Sequence, residues 1–427
     1  MNAQPPPLLL TEPETVAATP SPVGHVPHIT VGTFSETAEV DAVIAEVALD
    51  RRLAHAITKT SMGGIPGAIA FCRANPTPDL LILEGVGSRD TLMAQLKELA
   101  DYCELKTKVV VIGTSNDVAL YRDLMDLGIS DYVVGPVYIL TLVATILRLL
   151  DKPGAIGTGR ICAFIGAKGG VGASTIAQNL AWNIAQGQRR PVLLIDMDLQ
   201  FGSVALNLNL ESATCFADQL LGDGSNGNSV RLDQALFDRL LVPHGEFLSV
   251  LPGGNTTREV IEPAAEILSR LFDIAQNSFS LVVLDVPHSY STWVKQALRA
   301  ADDIILTAEP ELGNLRNAKH FIEMLHILRP HDEPPRLVLN KVGTPARSEI
   351  KTTEFASALK LNVAATFGFD AKLFSNAANN GQMLSETSIK NTAKRPFSKL
   401  EQALTGSKDA ASAKVGGLAR LWRRLRH

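Results

Sequence analysis

Residues 161–175 read ICAFIGAKGGVGAST, and residues 176–186 continue as IAQNLAWNIAQ. The first seven are an apolar run of strand length, the last eleven repeat apolar residues at helical spacing, and Gly169, Gly170 and Gly172 lie between. A strand that passes through a glycine-rich turn into a helix is the setting of a phosphate loop. Glycines let successive backbone N–H groups curl around phosphate oxygens, at a helix N-terminus whose first N–H groups have no partner of their own. Gly169, Gly170, Val171, Gly172, Ala173, Ser174 and Thr175 are therefore the candidate phosphate-binding segment. The Ser174 hydroxyl falls where a Mg²⁺ ligand is needed, and that of Thr175 where the α-phosphate would lie. An ordinary loop of this kind has lysine before the Ser/Thr, whereas this chain has Ala173.

The pattern around the loop is that of a parallel α/β domain. Apolar runs PVLLIDMD, FLSVLP, SLVVLDV, DIILTAE and RLVLNKVG alternate with helical stretches as far as about Leu404. Two of these strands end in aspartates, Asp196 with Asp198 and then Asp285. One aspartate at a strand end is commonly a turn or helix-capping residue. Three at one sheet edge are costly to bury unless a cation is present, so Asp196, Asp285 and Ser174 are read as the Mg²⁺ set.

Toward the N-terminus, the segment DKPGAIGTGR (151–160) is a glycine-dense linker. Before it, HITVG, DLLILE, KVVVIG and DYVVG alternate with helical stretches and predict a second parallel α/β unit over 28–150. Residues 1–27 are proline-rich without apolar periodicity and read as a disordered tail. At the other end, 405–427 is a spacer followed by GGLARLWRRLRH. There Leu418, Leu421, Trp422 and Leu425 share one helical face and four arginines fill the other, which suits an anionic membrane surface or an acidic groove.

Bulk composition narrows the function classes. The 427 residues are 46% hydrophobic and 20% charged, enough for about two or three cores. A net charge of −4 gives no global attraction for nucleic acid, and none is expected as a partner. Cys72, Cys103, Cys162 and Cys215 are scattered, and the histidines lack metal-ligand spacing, so reduced structural thiols and no zinc site are expected. The opening MNAQPPPLLLTEPE has no basic start, and no run approaches the roughly 18 apolar residues of a spanning helix. These features predict a cytoplasmic protein, with peripheral contact at the inner membrane through its tail.

The loop KGGVGAST, with LLIDMDLQFG and VVLDVP, resembles the MinD/ParA-type ATPases with a deviant Walker A motif. That resemblance implies ATP and Mg²⁺ as ligands and a homodimer. It also implies that Lys168 reaches across the dimer as the signature lysine, that Asp198 positions the attacking water, and that Asn340 lies near the adenine. KGGVGAST with its alanine, DMDLQFGS, TAEPELGNLRNAKH and FGFDAKLFSNAANNGQMLSE are further similar to the CpaE/TadZ proteins of Flp (Tad) pilus assembly, over most of Val31 to Glu386.

That family joins an atypical receiver-like (flavodoxin-like) domain to a MinD/ParA-like P-loop NTPase domain. Its implied role is an ATP-binding localisation and assembly factor with weak ATPase activity, working with pilus and secretion machinery components. The alternatives are a response regulator and a DNA-partition ATPase. A working receiver needs an acid pair after its first strand, an aspartate after its third and a lysine after its fifth. Here those places hold Gly32-Thr33-Phe34, Glu84 and Gly135, and Thr114 alone is retained. Receiver chemistry is expected to be absent, with Glu84 either a standing negative charge or a tolerated polar strand end.

Overall fold

A computed structural model describes residues 26, 28–150, 159–210, 215–217, 232–254, 262–387 and 392–405. The proline-rich tail apart from Val26, most of the 151–160 linker and the basic C-terminal tail lie outside them. The chain divides into two compact units, one reaching Gly157 and including His331–Glu333, the other comprising the rest from Thr158 on.

In the first unit, β1 (Ile29–Ser35), β2 (Ala56–Met62), β3 (Leu80–Glu84), β4 (Lys108–Gly113) and β5 (Asp131–Val134) form a sheet of order β2-β1-β3-β4-β5. All pairings are parallel, and the order is that of flavodoxin-like folds. The apolar run of β3 is continuous because both faces are covered. Leu81 and Leu83 join one buried cluster, Leu80 and Ile82 the other. Strand β2 has no apolar run to reveal it: it is an edge strand, and most of Ile57-Thr58-Lys59-Thr60-Ser61 is open to solvent. Val26 corrects the expected tail boundary. Its side chain is buried in the core with Val31 and Val47, and its N–H donates to Arg52 O at 2.8 Å.

Glu84 is no free strand-end charge. Its buried carboxylate accepts hydrogen bonds from the Glu36 N–H (2.6 Å), the Thr37 N–H (2.8 Å) and the Thr37 hydroxyl (2.7 Å). It therefore ties the end of β3 to the start of helix Ala38–Leu49, where Thr37 is the N-cap.

The second unit carries β6 (Arg160–Gly166), β7 (Val192–Asp196), β8 (Val242–His244), β9 (Leu248–Leu251), β10 (Leu281–Asp285), β11 (Asp303–Ala308), β12 (Arg336–Val342) and β13 (Val363–Gly368). Their order is β13-β12-β11-β6-β10-β7-β9-β8, parallel except for the antiparallel edge pair β8–β9. Both β8 and β13 were missing from the apolar runs because they are edge strands with only partial burial. Gly159 and Arg160 belong to this unit rather than to a linker: the Gly159 N–H donates to Gln276 O at 2.7 Å, and β6 begins at Arg160.

Alternate residues of β6 feed two cores, Ile161, Ala163 and Ile165 on one face, Cys162 and Phe164 on the other. The helix Ala173–Gln188 covers the second face with Ile176, Leu180 and Ile184. With β10 and β11 as the neighbours of β6, the carboxyl ends of several central strands open at one edge, where ligands of such sheets bind. No described helix is long and apolar enough to cross a membrane.

Candidate functional site

The glycine-rich turn is set by two left-handed residues, Gly170 (φ +80°) and Gly172 (φ +89°), a region a side chain would strain. Gly172 occupies the N-cap of helix Ala173–Gln188, and no side chain caps that helix. Its first N–H groups thus lack a side-chain acceptor and are available to an anion. Space beside Gly169 and Gly170 is open, since a Cβ on either would meet nothing within 4 Å.

Side chains from other elements hold the loop's carbonyls. His288 Nδ1 lies 2.8 Å from Gly166 O, and because a carbonyl only accepts, Nδ1 carries the proton. Asn317 Nδ2 donates to Ala167 O (3.0 Å), Lys341 Nζ to Gly170 O (2.7 Å) and Asn340 Nδ2 to Val171 O (2.8 Å). Asn340, expected near the adenine, is buried, and its Oδ1 accepts from the Lys341 N–H of its own strand at 2.9 Å, so one end of its amide is fixed to β12 while the other holds the loop.

The three expected acids converge. Asp196 and Asp285 are in register on adjacent strands and both buried, while Asp198 is half-buried. Burial, then the charge of Asp196, pushes Asp285 up to about 8, against which the Ser174 hydroxyl bond works. Asp196 is raised to about 6, first by burial. Asp196 also accepts from the N–H groups of Asp198 (3.0 Å) and Val204 (3.1 Å), and Asp198 from that of Phe201 (2.9 Å). Among the described residues none of the three has a cationic side chain in ion-pair contact. Buried carboxylates without a counter-charge, beside a serine hydroxyl and an uncapped helix, are a donor set that fits Mg²⁺ and a phosphate chain.

Lys168 is exposed and contacts Glu311 Oε1 at 3.3 Å. Glu311 also accepts from Asn314 Nδ2 (2.6 Å) and pairs with Arg347, which pairs in turn with Glu309, itself 2.8 Å from Lys341 Nζ. Burial would raise both glutamates, but these bonds more than offset it and hold each below the ordinary carboxylate range. Sequence reading assigned no role to Glu309, Glu311, Lys341, Arg347 or His288. The quoted segment TAEPELGNLRNAKH held two of them, and nothing in its pattern showed which cations they meet.

Residues 159–335 match the sequence model of the AAA_31 family, an AAA domain. The chain is 28% identical over 189 residues to the septum site-determining protein MinD of Bacillus subtilis (strain 168), covering 43% of this chain and 65% of that protein. Residues 159–335 thus resemble an AAA domain, and the chain is similar to MinD over part of its length. It spans about two-thirds or less of the length of such curated relatives, 65% for MinD of B. subtilis. A crystal structure of a ParA family ATPase from Chlorobium tepidum TLS is 23% identical with a TM-score of 0.50, covering 58% of this chain and 99% of that one. It shares the fold of the AAA domain. The pilus assembly protein CpaE of Caulobacter crescentus CB15 is 36% identical with a TM-score of 0.30, covering 30% of this chain and 98% of its own.

Proposed function

We propose that the protein is an ATP-binding localisation and assembly factor for a Flp (Tad)-type pilus, which dimerises on ATP and hydrolyses it slowly. The observation that carries the nucleotide part is the convergence of Asp196, Asp198, Asp285 and Ser174 on the uncapped glycine loop, with no cationic side chain paired to these acids among the described residues. The pilus part rests on the resemblance of TAEPELGNLRNAKH and FGFDAKLFSNAANNGQMLSE to that family.

In this reading, backbone N–H groups from Gly169 to Thr175 bind the phosphates, and Ser174, Asp196 and Asp285 hold the cation. Mg²⁺, when bound, supplies charge neutralisation for the β- and γ-oxygens. Lys168 leaves Glu311 for the phosphates of a second copy, and Asp198 orients the water. Ala173 leaves the loop without the lysine that would stabilise charge growing on the transferring phosphoryl group, so turnover is slow while binding, spread over many donors, persists.

The basic tail around Leu418–Leu425 would dock on anionic membrane or on a partner in the pilus machinery. Sedimentation and light scattering test the core of this: a dimer with ATP and Mg²⁺, and a monomer with ADP or without Mg²⁺, is the expected result. A monomer at saturating ATP would overturn it. In cells, deletion should remove Flp-type pili, and normal piliation would overturn the pathway.

A further inference from the structure

A line of alternating charge runs beside the phosphate loop and meets it at both ends. Lys341 Nζ sits on Gly170 O and on Glu309 Oε1, Arg347 bridges Glu309 and Glu311, and Glu311 Oε1 takes Lys168, two residues before Gly170. The links differ in strength. The Lys168–Glu311 contact is the longest at 3.3 Å and the most open, with the Lys168 side chain 59% exposed. Glu309, in contrast, is 10% exposed between Lys341 and Arg347.

We propose that Arg347 is a positioning residue that sets how readily Lys168 is released, because it engages Glu311 Oε2 and so competes with Lys168 for one carboxylate. This rests on the reading above that Lys168 acts on the nucleotide of a second copy.

Glu311 carries one negative charge and three donors face it: Arg347 on Oε2, Lys168 and Asn314 on Oε1. Arg347, anchored also to Glu309, neutralises most of that charge and leaves Lys168 with the weaker share. An exposed contact of this kind is readily exchanged for phosphate oxygens, which carry more charge. Without Arg347 the whole carboxylate charge falls to Lys168, and release becomes harder.

The test is the ATP concentration giving half-maximal dimer, read by light scattering with Mg²⁺, beside fluorescent-ATP affinity of the monomer. Arg347→Ala should raise that concentration about 2- to 5-fold, the span of one exposed ion pair, with monomer affinity unchanged. Glu311→Gln should lower it by a similar factor, and the double variant should match Glu311→Gln alone, since Arg347 reaches Lys168 only through Glu311. Arg347→Lys should restore part of the effect.

An unshifted midpoint in Glu311→Gln overturns the proposal, even if Arg347→Ala fails to fold. So does a double variant that retains the Arg347→Ala defect. Lys168→Ala separates the two readings: a dimer that survives it refutes the cross-dimer role itself. A dimer lost with Lys168 but indifferent to Glu311→Gln refutes only the part played by Arg347.

Discussion

Asp285 and Asp196 stand opposite each other on adjacent parallel strands, and both are buried. Burial, and for Asp285 also the neighbouring charge of Asp196, raises both carboxyls above the ordinary 3.8, Asp285 to about 8 and Asp196 to about 6. A carboxyl whose folded pKa is raised gives its full stability below the unfolded value, and loses it as pH rises through the folded one. Without nucleotide and Mg²⁺, melting temperature should therefore fall as pH climbs from about 4 to about 8. Asp285→Asn should flatten that slope and add about 1–4 kcal/mol at pH 8, while abolishing stabilisation by Mg²⁺ and ATP. Calorimetry at pH 5 and pH 8 decides it. A slope unchanged by the substitution would show that Asp285 is not its source.

Turnover should respond to the residue before Ser174. Ala173→Lys restores a donor to the β- and γ-oxygens, and an oxyanion donor is typically worth about 10²- to 10³-fold in rate. A phosphate-release assay should show a gain of at least tenfold in that variant. Rapid turnover by the unmodified chain would contradict the role given to Ala173.

Loss of the Glu84 carboxylate should weaken the N-terminal unit. Glu84→Ala leaves the N–H groups of Glu36 and Thr37 and the Thr37 hydroxyl without their acceptor, at about 1–3 kcal/mol. Urea unfolding of full-length chains, followed by a probe in residues 28–150, measures the loss. The same saturation leads us to expect no acyl phosphate on Glu84 after incubation with acetyl phosphate and Mg²⁺, which mass spectrometry checks.

Removing Leu418–His427 should reduce sedimentation with anionic vesicles and leave nucleotide affinity intact. Each arginine near such a surface contributes about 1 kcal/mol, so the difference should shrink with added salt. Equal sedimentation of both proteins would leave the tail without a membrane role.

Much of this architecture was legible wherever burial on both faces wrote an apolar run into the chain. β3, β4, β6, β7, β10 and β11 announce themselves by such runs, and β12 nearly so. Edge strands do not: β2 spells AITKTSM because only its inner edge has a partner, and β13 alternates weakly for the same reason. At the site, the glycine loop and its acids are local signals, readable because their chemistry depends on spacing. What could not be read is which distant cation meets which anion. Arg347 and Glu311 lie 36 positions apart and Lys168 and Glu311 143 apart, and only the folded sheet brings them together.

The four carbonyls fixed by His288, Asn317, Lys341 and Asn340 have a kinetic meaning. A loop whose carbonyls are already held by side chains has little conformational freedom left to lose when a ligand arrives. Nucleotide uptake should then behave as docking into a rigid receptor: single-exponential traces whose rate rises in proportion to concentration, without the plateau that a slow rearrangement of the loop would impose.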